Sequence, residues 1–205
     1  MTVSETGGAA AEADLRFGVV AIASSAGGIA ALTEVLGALP VRFPIPVLVV
    51  QHLDRTHDTI LAQVLGRRAR LPVRLARDAE QADPGIVYLA PPNHHLLVSG
   101  TGLLALSDSE LVHFVRPSAD LLFESVAGAY GARAIACVLT GTGRDGAMGV
   151  DAVKSRGGTV IVQDPASAQF DGMPKAAVNT GAADLVLPLE EIAAAIQDLV
   201  GEGPR

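Results

Sequence analysis

Short apolar runs and longer amphipathic segments alternate along the chain. Residues 18–23 form an apolar run of the kind found in buried strands, and residues 27–39 follow with the spacing of a helix. The same pattern recurs to the end of the chain. It predicts further strands at 46–51, 73–77, 134–140, 159–163 and 184–187, and helices at 59–68, 119–130, 146–155, 175–179 and 189–200.

This alternation predicts an α/β fold. Strands joined through helices form βαβ units, so we expect a doubly wound, mostly parallel sheet with helices on both faces. The pattern changes between 84 and 108, where short apolar runs at 86–89, 96–98 and 103–106 are separated by turn residues. We predict a small antiparallel insertion there, with a hairpin turn at 99–102.

Length and composition fit one folded domain. The chain has 205 residues, of which 49% are hydrophobic, enough for one full core but with little room for a second domain. Ala, Gly and acidic residues dominate the first segment, so we expect a disordered leader over 1–16. The folded domain is then expected over 17–200, and a short tail over 201–205.

Charge and cysteine content exclude several classes of partner. The formal net charge is -7 and the Lys and Arg residues are scattered, so no basic patch indicates nucleic acid binding. The one cysteine, Cys137, cannot form an internal disulfide, which favours a cytoplasmic location. The N-terminus lacks the pattern of a signal peptide, and no run of about 18 apolar residues indicates insertion into a membrane.

Three predicted strand ends carry residues with useful chemistry. Ser25 follows the first strand, His52 follows the second, and Asp145 follows the strand predicted at 134–140. In a doubly wound sheet such ends converge in one crevice. A serine hydroxyl needs a base to take its proton, histidine accepts one near neutral pH, and a carboxylate fixes the histidine tautomer. The chain order and the absence of Gly-x-Ser-x-Gly around Ser25 exclude the usual lipase assignment.

Two of these residues also have a simpler interpretation. Ser25 could be a helix cap, and Asp145 in its glycine-rich loop could be a turn or capping residue. If Ser25 is instead a nucleophile, a developing oxyanion needs backbone donors nearby. The backbone amides of Ala26 and Thr142 are the candidates for this oxyanion hole.

Nucleotide and metal binding are the competing kinds of site. The turn after the first strand is glycine-rich, but Gly-Lys-Ser/Thr and Gly-x-Gly-x-x-Gly are both absent there, which disfavours a nucleotide. Four histidines could suggest zinc, namely His52, His57, His94 and His95. Their spacing is not that of a tight ligand set and no cysteine accompanies them, so we expect no metal.

Several motifs follow one another along the chain. They are Ser24-Ser25-Ala26-Gly27-Gly28, Gln51-His52, the segment from Pro84 to Pro91, Arg116-Pro117-Ser118, Leu139-Thr140-Gly141 with Asp145-Gly146-Ala147, and Gly172-Met173-Pro174. Together these motifs closely resemble the catalytic domain of CheB, the chemotaxis receptor methylesterase family. The resemblance covers roughly residues 17–200.

The resemblance implies both a reaction and a site. Members of the family hydrolyse γ-glutamyl methyl esters on methyl-accepting chemotaxis receptors to glutamate and methanol, and some relatives also deamidate receptor glutamines. By motif, Ser25, His52 and Asp145 match the nucleophile, the base and the orienting carboxylate of the family. The resemblance also implies that no metal or organic cofactor takes part, and that the partner is the cytoplasmic region of a receptor.

The chain departs from the usual family pattern near the site. Members commonly have Thr where Ala26 stands, and often Met and Asn where Thr142 and Arg144 stand. If the backbone amide of residue 142 is the donor, a different side chain at this position would be tolerated. Arg144, in contrast, could either steady or disturb the carboxylate of the neighbouring Asp145. Typical members also carry an N-terminal receiver domain, for which residues 1–16 leave no room, and we expect a stand-alone methylesterase.

These departures keep a second hypothesis open. In it, the chain is a catalytically weak or inactive domain that acts as a binding or regulatory module in a signalling array.

Five further residues carry expectations that the structure can address. Arg116 is a candidate for substrate binding, although a structural bond to backbone carbonyls is equally expected, and Met173 is a second candidate, at the start of a predicted helix. His95 is expected in a structural turn, His113 at the surface, and Cys137 in the core.

Overall fold

The computed structural model describes residues 17–53 and 59–201. The leader predicted at 1–16, the tail from residue 202 onward and His57 lie outside these ranges. Within them the strands are β1 (Val19–Ser24), β2 (Val47–Gln51), β3 (Val73–Leu75), β4 (Val87–Leu89), β5 (His95–Val98), β6 (Leu104–Ser107), β7 (Ala134–Val138), β8 (Thr159–Gln163) and β9 (Leu185–Leu187). The α-helices are α1 (Gly28–Ala38), α2 (Leu61–Gly66), α3 (Ala119–Tyr130), α4 (Ala147–Ser155), α5 (Gly172–Asn179) and α6 (Leu189–Gly201).

Seven strands form one parallel sheet in the order β3-β4-β2-β1-β7-β8-β9. The central strands β1, β2 and β7 are buried along their whole length, because helices cover both faces of the sheet. One face packs against α1, α2 and α6, and the other against α3, α4, α5 and the β5–β6 hairpin. The predicted doubly wound architecture is confirmed.

The predicted insertion is half right. β5 and β6 pair antiparallel, with Leu96 opposite Leu106, as expected for the hairpin. The run at 86–89 is not part of it, because β4 lies in the main sheet, parallel to both β3 and β2. Tyr88 on β4 is completely buried, as are its neighbours, which is typical of an interior parallel strand. The antiparallel assignment of that run was therefore wrong.

Most other predicted elements lie within a few residues of their observed positions. The helix predicted at 175–179 begins earlier, at Gly172, and that predicted at 59–68 is shorter. Cys137 lies on β7 with no exposed surface, as expected for a packing residue, and burial raises the pKa of its thiol to about 12. None of the helices in the described ranges has both the length and the apolar character needed to cross a membrane.

The order of the strands places three chain segments side by side. In a parallel sheet all carboxyl ends lie at one edge, and β2, β1 and β7 are neighbours in this sheet. Two backbone hydrogen bonds extend the ladders past the strands: the His52 amide donates to the Ser24 carbonyl at 3.0 Å, and the Ser25 amide donates to the Thr140 carbonyl at 3.0 Å. The residues that follow these strands are therefore held close together.

Candidate active site

Ser25 stands at the turn between β1 and α1. The turn closes at Gly27, which has a φ of 75° and precedes the first residue of the helix. This left-handed conformation suits glycine, and a side chain on the next residue, Gly28, would clash with Ser24 and Gln51. Gly27 occupies the cap position and no side chain caps α1, so the interpretation of Ser25 as a helix cap was wrong.

Gln51 holds together the segments that carry Ser25 and His52, a role that the sequence did not reveal. Its side chain is buried at the end of β2 and accepts a hydrogen bond from Ser24 Oγ at 2.7 Å. Its Nε2 donates to the backbone carbonyl of Ser25 at 2.8 Å and to that of His52 at 2.9 Å. One amide side chain therefore fixes the spacing of the two strand ends. A polar residue at the end of an otherwise apolar run was the available signal.

His52 is hydrogen-bonded to Asp145 across the sheet edge. The distance between His52 Nε2 and Asp145 Oδ2 is 2.8 Å. An ionised carboxylate only accepts hydrogen bonds, so Nε2 is the donor and carries the proton of the neutral ring. The other ring nitrogen, Nδ1, is then the basic one. The two residues predicted to be the base and its orienting group are brought together.

Asp145 is held by more than His52. Its Oδ1 accepts hydrogen bonds from Ser118 Oγ at 2.8 Å and from the Asp120 amide at 3.1 Å. Its Oδ2 accepts from the Ala119 amide at 2.6 Å as well as from His52. Asp145 thus caps the first turn of α3, where free amides and the helix dipole favour a negative charge. Asp145 is thus a capping residue as well as the partner of His52, and the helix it caps is α3, whereas Gly146 occupies the cap position of α4.

The pKa of Asp145 reflects this environment. Burial on its own raises the pKa of a carboxyl group, and only 3% of Asp145 is exposed. The hydrogen bonds from His52 and from the Ala119 and Asp120 amides outweigh burial and hold the pKa of Asp145 below its ordinary value. Asp145 is therefore ionised in the folded protein near neutral pH.

His95 supports this arrangement from the hairpin. It is fully buried at the start of β5, so its expected place in a turn was wrong. Its Nδ1 accepts a hydrogen bond from the Ser118 amide at 3.1 Å, and its Nε2 lies 3.1 Å from the Glu110 carbonyl, to which it donates. Burial lowers the pKa of His95, which keeps the ring neutral in the tautomer that these two bonds require.

A second buried carboxylate lies beside Asp145. Asp120 Oδ1 accepts from the Gly149 amide at 2.8 Å, while Oδ2 lies 3.3 Å from His113 Nε2. Burial is the main cause that raises the pKa of Asp120, and the nearby charge of Asp145 raises it further. His113 was expected only at the surface, but it is partly covered and pairs with this buried group. No local sequence pattern indicated the pair, since it depends on how the turn folds onto α3.

The Ser25 side of the site is more open. In the described part of the chain no hydrogen bond joins the Ser25 hydroxyl to His52, so one of the two bonds expected in the chain Ser25–His52–Asp145 is present. The amides of Ala26 and Thr142 likewise donate to no group within the described ranges. All three residues are at least partly exposed. The triad as a whole and the oxyanion hole stay predictions.

Gly141 lets the loop after β7 approach the Ser25 turn. A side chain at Gly141 would lie 2.8 Å from Ser25 Cβ and would clash with Met173 Sδ. The Gly141 amide donates to the Phe170 carbonyl at 2.9 Å, and its carbonyl accepts from the Met173 amide at 2.8 Å. These contacts bring Thr142, the second predicted oxyanion donor, to the neighbourhood of Ser25.

The two candidates for substrate binding make their contacts with the protein itself. The Arg116 guanidinium donates to Asn93 Oδ1 and to the carbonyls of Asp108 and Ser109, at 2.7 to 3.1 Å. Of its two expected roles, these bonds favour the structural one. Met173 is 1% exposed, so its thioether is a buried wall behind Gly141 rather than a surface for substrate.

Arg144 and His94 make no contact with the carboxylate of Asp145 in the part of the chain that the structure describes. Arg144 is exposed and forms no ion pair with Asp145 among the described residues. His94 pairs with the exposed Asp108 at 2.6 Å. Among the described residues no cluster of three or more His, Cys, Asp or Glu side chains could hold a metal ion.

A family model described as CheB methylesterase matches residues 20–196. The chain belongs to the CheB methylesterase family. This result confirms the resemblance stated from the sequence motifs. The site at the carboxyl edge of β1, β2 and β7 is therefore a site of the CheB fold.

Individual relatives agree with the family assignment. The protein-glutamate methylesterase/protein-glutamine glutaminase of group 3 operon from Pseudomonas putida is 46% identical over 182 residues, which are 89% of this chain and 54% of that protein. A putative protein-glutamate methylesterase/protein-glutamine glutaminase from Leptospira interrogans is 38% identical over 179 residues, 87% of this chain and 93% of that protein. The chain spans about half the length of the Pseudomonas, Cupriavidus and Burkholderia relatives and nearly all of the Leptospira one.

A solved CheB structure confirms the fold. The crystal structure of the Thermotoga maritima CheB methylesterase catalytic domain matches with a TM-score of 0.87 and 38% sequence identity. The match covers 90% of this chain and 99% of that chain. The doubly wound fold predicted from the alternation of apolar and amphipathic segments is thus the CheB catalytic fold.

Proposed function

We propose that this chain is a serine-type protein-glutamate methylesterase. The observation that carries the proposal is the 2.8 Å hydrogen bond between His52 and Asp145. It leaves His52 Nδ1 as the basic nitrogen, on a segment that is bonded to the Ser25 turn through the His52 amide and through Gln51. The names of the relatives supply the chemical class, since they are protein-glutamate methylesterases and protein-glutamine glutaminases.

The first step is acyl transfer to Ser25. The Ser25 oxygen attacks the ester carbonyl of a glutamate γ-methyl ester while its proton passes to His52 Nδ1. Asp145 stabilises the imidazolium that forms, because it is ionised and bonded to Nε2. In this step the amides of Ala26 and Thr142 donate to the oxyanion; in support, neither amide donates to another group in the described part of the chain.

The first step ends when the carbon–methoxy bond breaks, His52 returns the proton to the leaving oxygen, and methanol departs. The second step is hydrolysis of the acyl-enzyme. Water gives a proton to His52 and attacks the acyl carbonyl, the bond to the Ser25 oxygen breaks, and His52 returns the proton to that oxygen, which restores Ser25 and releases glutamate. The same sequence applied to a glutamine side chain would release ammonia, in keeping with the second activity in the names of the relatives. Neither step needs a metal or an organic cofactor.

The proposed substrate is the cytoplasmic region of a methyl-accepting chemotaxis receptor. A cytoplasmic location follows from this substrate and fits the single buried Cys137. We propose no nucleic acid partner, because the net charge of -7 does not favour binding to phosphate backbones. We also propose no direct insertion into the membrane, because the sequence has no apolar run of about 18 residues.

Methanol release from receptor labelled on its methyl groups tests the proposal. The wild-type chain should release labelled methanol, and Ser25→Ala should lower the rate by at least about 10³-fold, as in other triad enzymes. Ser99→Ala, a change of an exposed serine at the hairpin turn, should leave the rate unchanged. Equal rates for Ser25→Ala and wild type would refute the mechanism. Receptor binding without any turnover would instead support the binding-module hypothesis.

A further inference from the structure

Phe114 is the most exposed large apolar side chain among the described residues. It is 90% exposed, compared with 68% for Val41 and 65% for Ile60. Large aromatic side chains contribute most when they are buried, in a core or against a partner. The almost fully exposed Phe114 ring therefore offers apolar surface that a partner molecule could bury.

The backbone holds this ring in a tight, strained turn. Val112 and Val115 exchange backbone hydrogen bonds at 2.9 and 3.2 Å, and the two residues between them, His113 and Phe114, have φ values of 49° and 66°. Two successive positive φ angles define a turn usually built from Gly, Asn or Asp. For a bulky residue this conformation is unfavourable, and the exposed Phe114 ring has little packing within the chain to offset it.

The turn contacts the helix whose first turn is capped by Asp145. His113 Nε2 lies 3.3 Å from the buried Asp120 Oδ2, close enough for an ion pair but without hydrogen-bond geometry, and the Asp120 amide donates to Asp145. On the other side of Phe114, Arg116 is bonded to Asn93 and to two backbone carbonyls. The ring is thus presented from a fixed position relative to the base and its carboxylate.

Phe114 also borders the space beside the base. A small cavity of about 80 Å³ is lined by His52, Leu53, Phe114, Val115, Arg116 and Pro117. Sites that bind whole small molecules usually measure roughly 300 to 1,000 Å³. A cavity of this size has room for a group such as a methyl ester, but not for enough contacts to bind a substrate tightly. Affinity must therefore come from the surrounding surface.

We propose that Phe114 is a specificity-determining residue that contacts the protein substrate. Its ring packs against an apolar side chain that flanks the methylated glutamate, on the His52 side of the cleft. This inference rests on the proposed methylesterase function and adds to it the place where a protein substrate is recognised. Phe114 contributes to binding of the receptor and not to the breaking of the ester bond.

Steady-state kinetics on two substrates test this assignment. Phe114→Asn removes the ring and suits the positive φ of the turn, whereas Phe114→Tyr keeps the ring. We expect Phe114→Asn to raise KM for methylated receptor about tenfold, the value of burying one large apolar side chain, with kcat within twofold of wild type. Its kcat/KM for a small soluble ester such as p-nitrophenyl acetate should not change. Phe114→Tyr should behave like wild type on both substrates.

A matched control and distinct negative outcomes complete the experiment. Val41→Ser changes another strongly exposed apolar residue, beyond the far end of α1, and should alter neither parameter. An unchanged receptor KM in Phe114→Asn overturns the contact alone. An equal loss on both substrates also overturns it, because Phe114 would then act through the base. A wild-type chain that hydrolyses the small ester but not the receptor overturns the receptor assignment and the contact with it.

Discussion

The two ends of the candidate site are built in opposite ways. At one end, Asp145 is 3% exposed and accepts four hydrogen bonds from other described residues. At the other end, Ser25 is partly exposed, and its hydroxyl and the two amides predicted to form the oxyanion hole have no partners among the described residues. The hydrogen bonds at the Asp145 end are formed before substrate arrives, whereas the groups at the Ser25 end are free to bond to a substrate.

This difference follows from the charges that each end handles. The carboxylate is charged in the resting protein, so its burial must be compensated by fixed donors at all times. The oxyanion exists only during the reaction, so donors aimed at it gain most if they are free beforehand. Changes at the Asp145 end should therefore affect both stability and rate, whereas changes at the Ser25 end should affect rate alone.

The largest effect is expected where the two ends meet. His52→Ala removes the base, so the rate of methanol release should fall by about 10⁴-fold or more, as in other triads. Thermal unfolding should also shift to lower temperature, because the His52 side chain is only 12% exposed and its removal takes one hydrogen-bond donor from the buried Asp145. His94→Ala, which removes an exposed histidine paired with Asp108, is the matched control and should keep full activity. Wild-type rates in His52→Ala would remove His52 from the mechanism.

Asp145→Asn should reduce both rate and stability. Each carboxylate oxygen accepts from two donors, so the amide NH₂ must face donors whichever way it is turned. We expect a fall in kcat of about 10³- to 10⁴-fold, and a loss in unfolding free energy of about 2 kcal/mol in urea titrations. Asp184→Asn alters a carboxylate bonded to Lys154 and to the Val160 amide, outside the site, and should keep the rate. A rate loss in Asp145→Asn without any loss of stability would contradict the claim that the Asp145 end supports both the fold and the reaction.

Ser118→Ala should have a smaller effect of the same kind. It removes one donor to Asp145 and the side-chain cap of α3, so we expect about 1 kcal/mol lower stability and a decrease in kcat of about tenfold. Ser118→Thr keeps the hydroxyl and should restore both. Ser125→Ala removes a serine within α3 that donates to the Leu122 carbonyl and accepts from the Val98 amide, and it should lower stability without lowering kcat. An equal kcat in Ser118→Ala and Ser125→Ala would assign Ser118 a purely structural role.

The smallest effect should appear in the pH dependence of stability. The pKa of Asp120 is raised in the folded state, so its ionisation costs stability as pH rises from 3.8 through the folded pKa. Asp120→Asn removes this cost, and its unfolding free energy relative to wild type should increase over that window and then level off. Asp145 has the opposite sign, because its lowered pKa contributes stability that is lost as pH falls through the folded pKa. Chemical unfolding between pH 3 and 7 would measure both trends, and a flat difference would contradict the assignment for Asp120.

The sequence predicted the architecture well because hydrophobic periodicity reports burial directly. Strand β8 and helix α3 were predicted with their observed bounds, since each is an uninterrupted pattern between turn residues. The run that forms β4 was assigned to the wrong sheet. Three apolar residues are equally compatible with a hairpin and a parallel ladder, and only the packing of the sheet decides between them.

The sequence identified the residues predicted to carry the chemistry, but not the residues that hold them in position. Ser25, His52 and Asp145 stand at strand ends, where chemistry concentrates in this fold class. Gln51, Ser118 and the pair formed by His113 and Asp120 act through contacts between segments that are distant in sequence. Such contacts depend on tertiary structure, and no local spacing encodes them.

The capping of α3 by Asp145 makes assembly of the site a folding event. The same carboxylate orients His52 and accepts from the Ala119 and Asp120 amides, so local opening at the start of α3 removes two of the donors that hold this carboxylate. The two amides are therefore probes of this contact. Their rates of hydrogen exchange measure the fraction of time in which the start of α3 is detached from Asp145, in a resting protein with no substrate added.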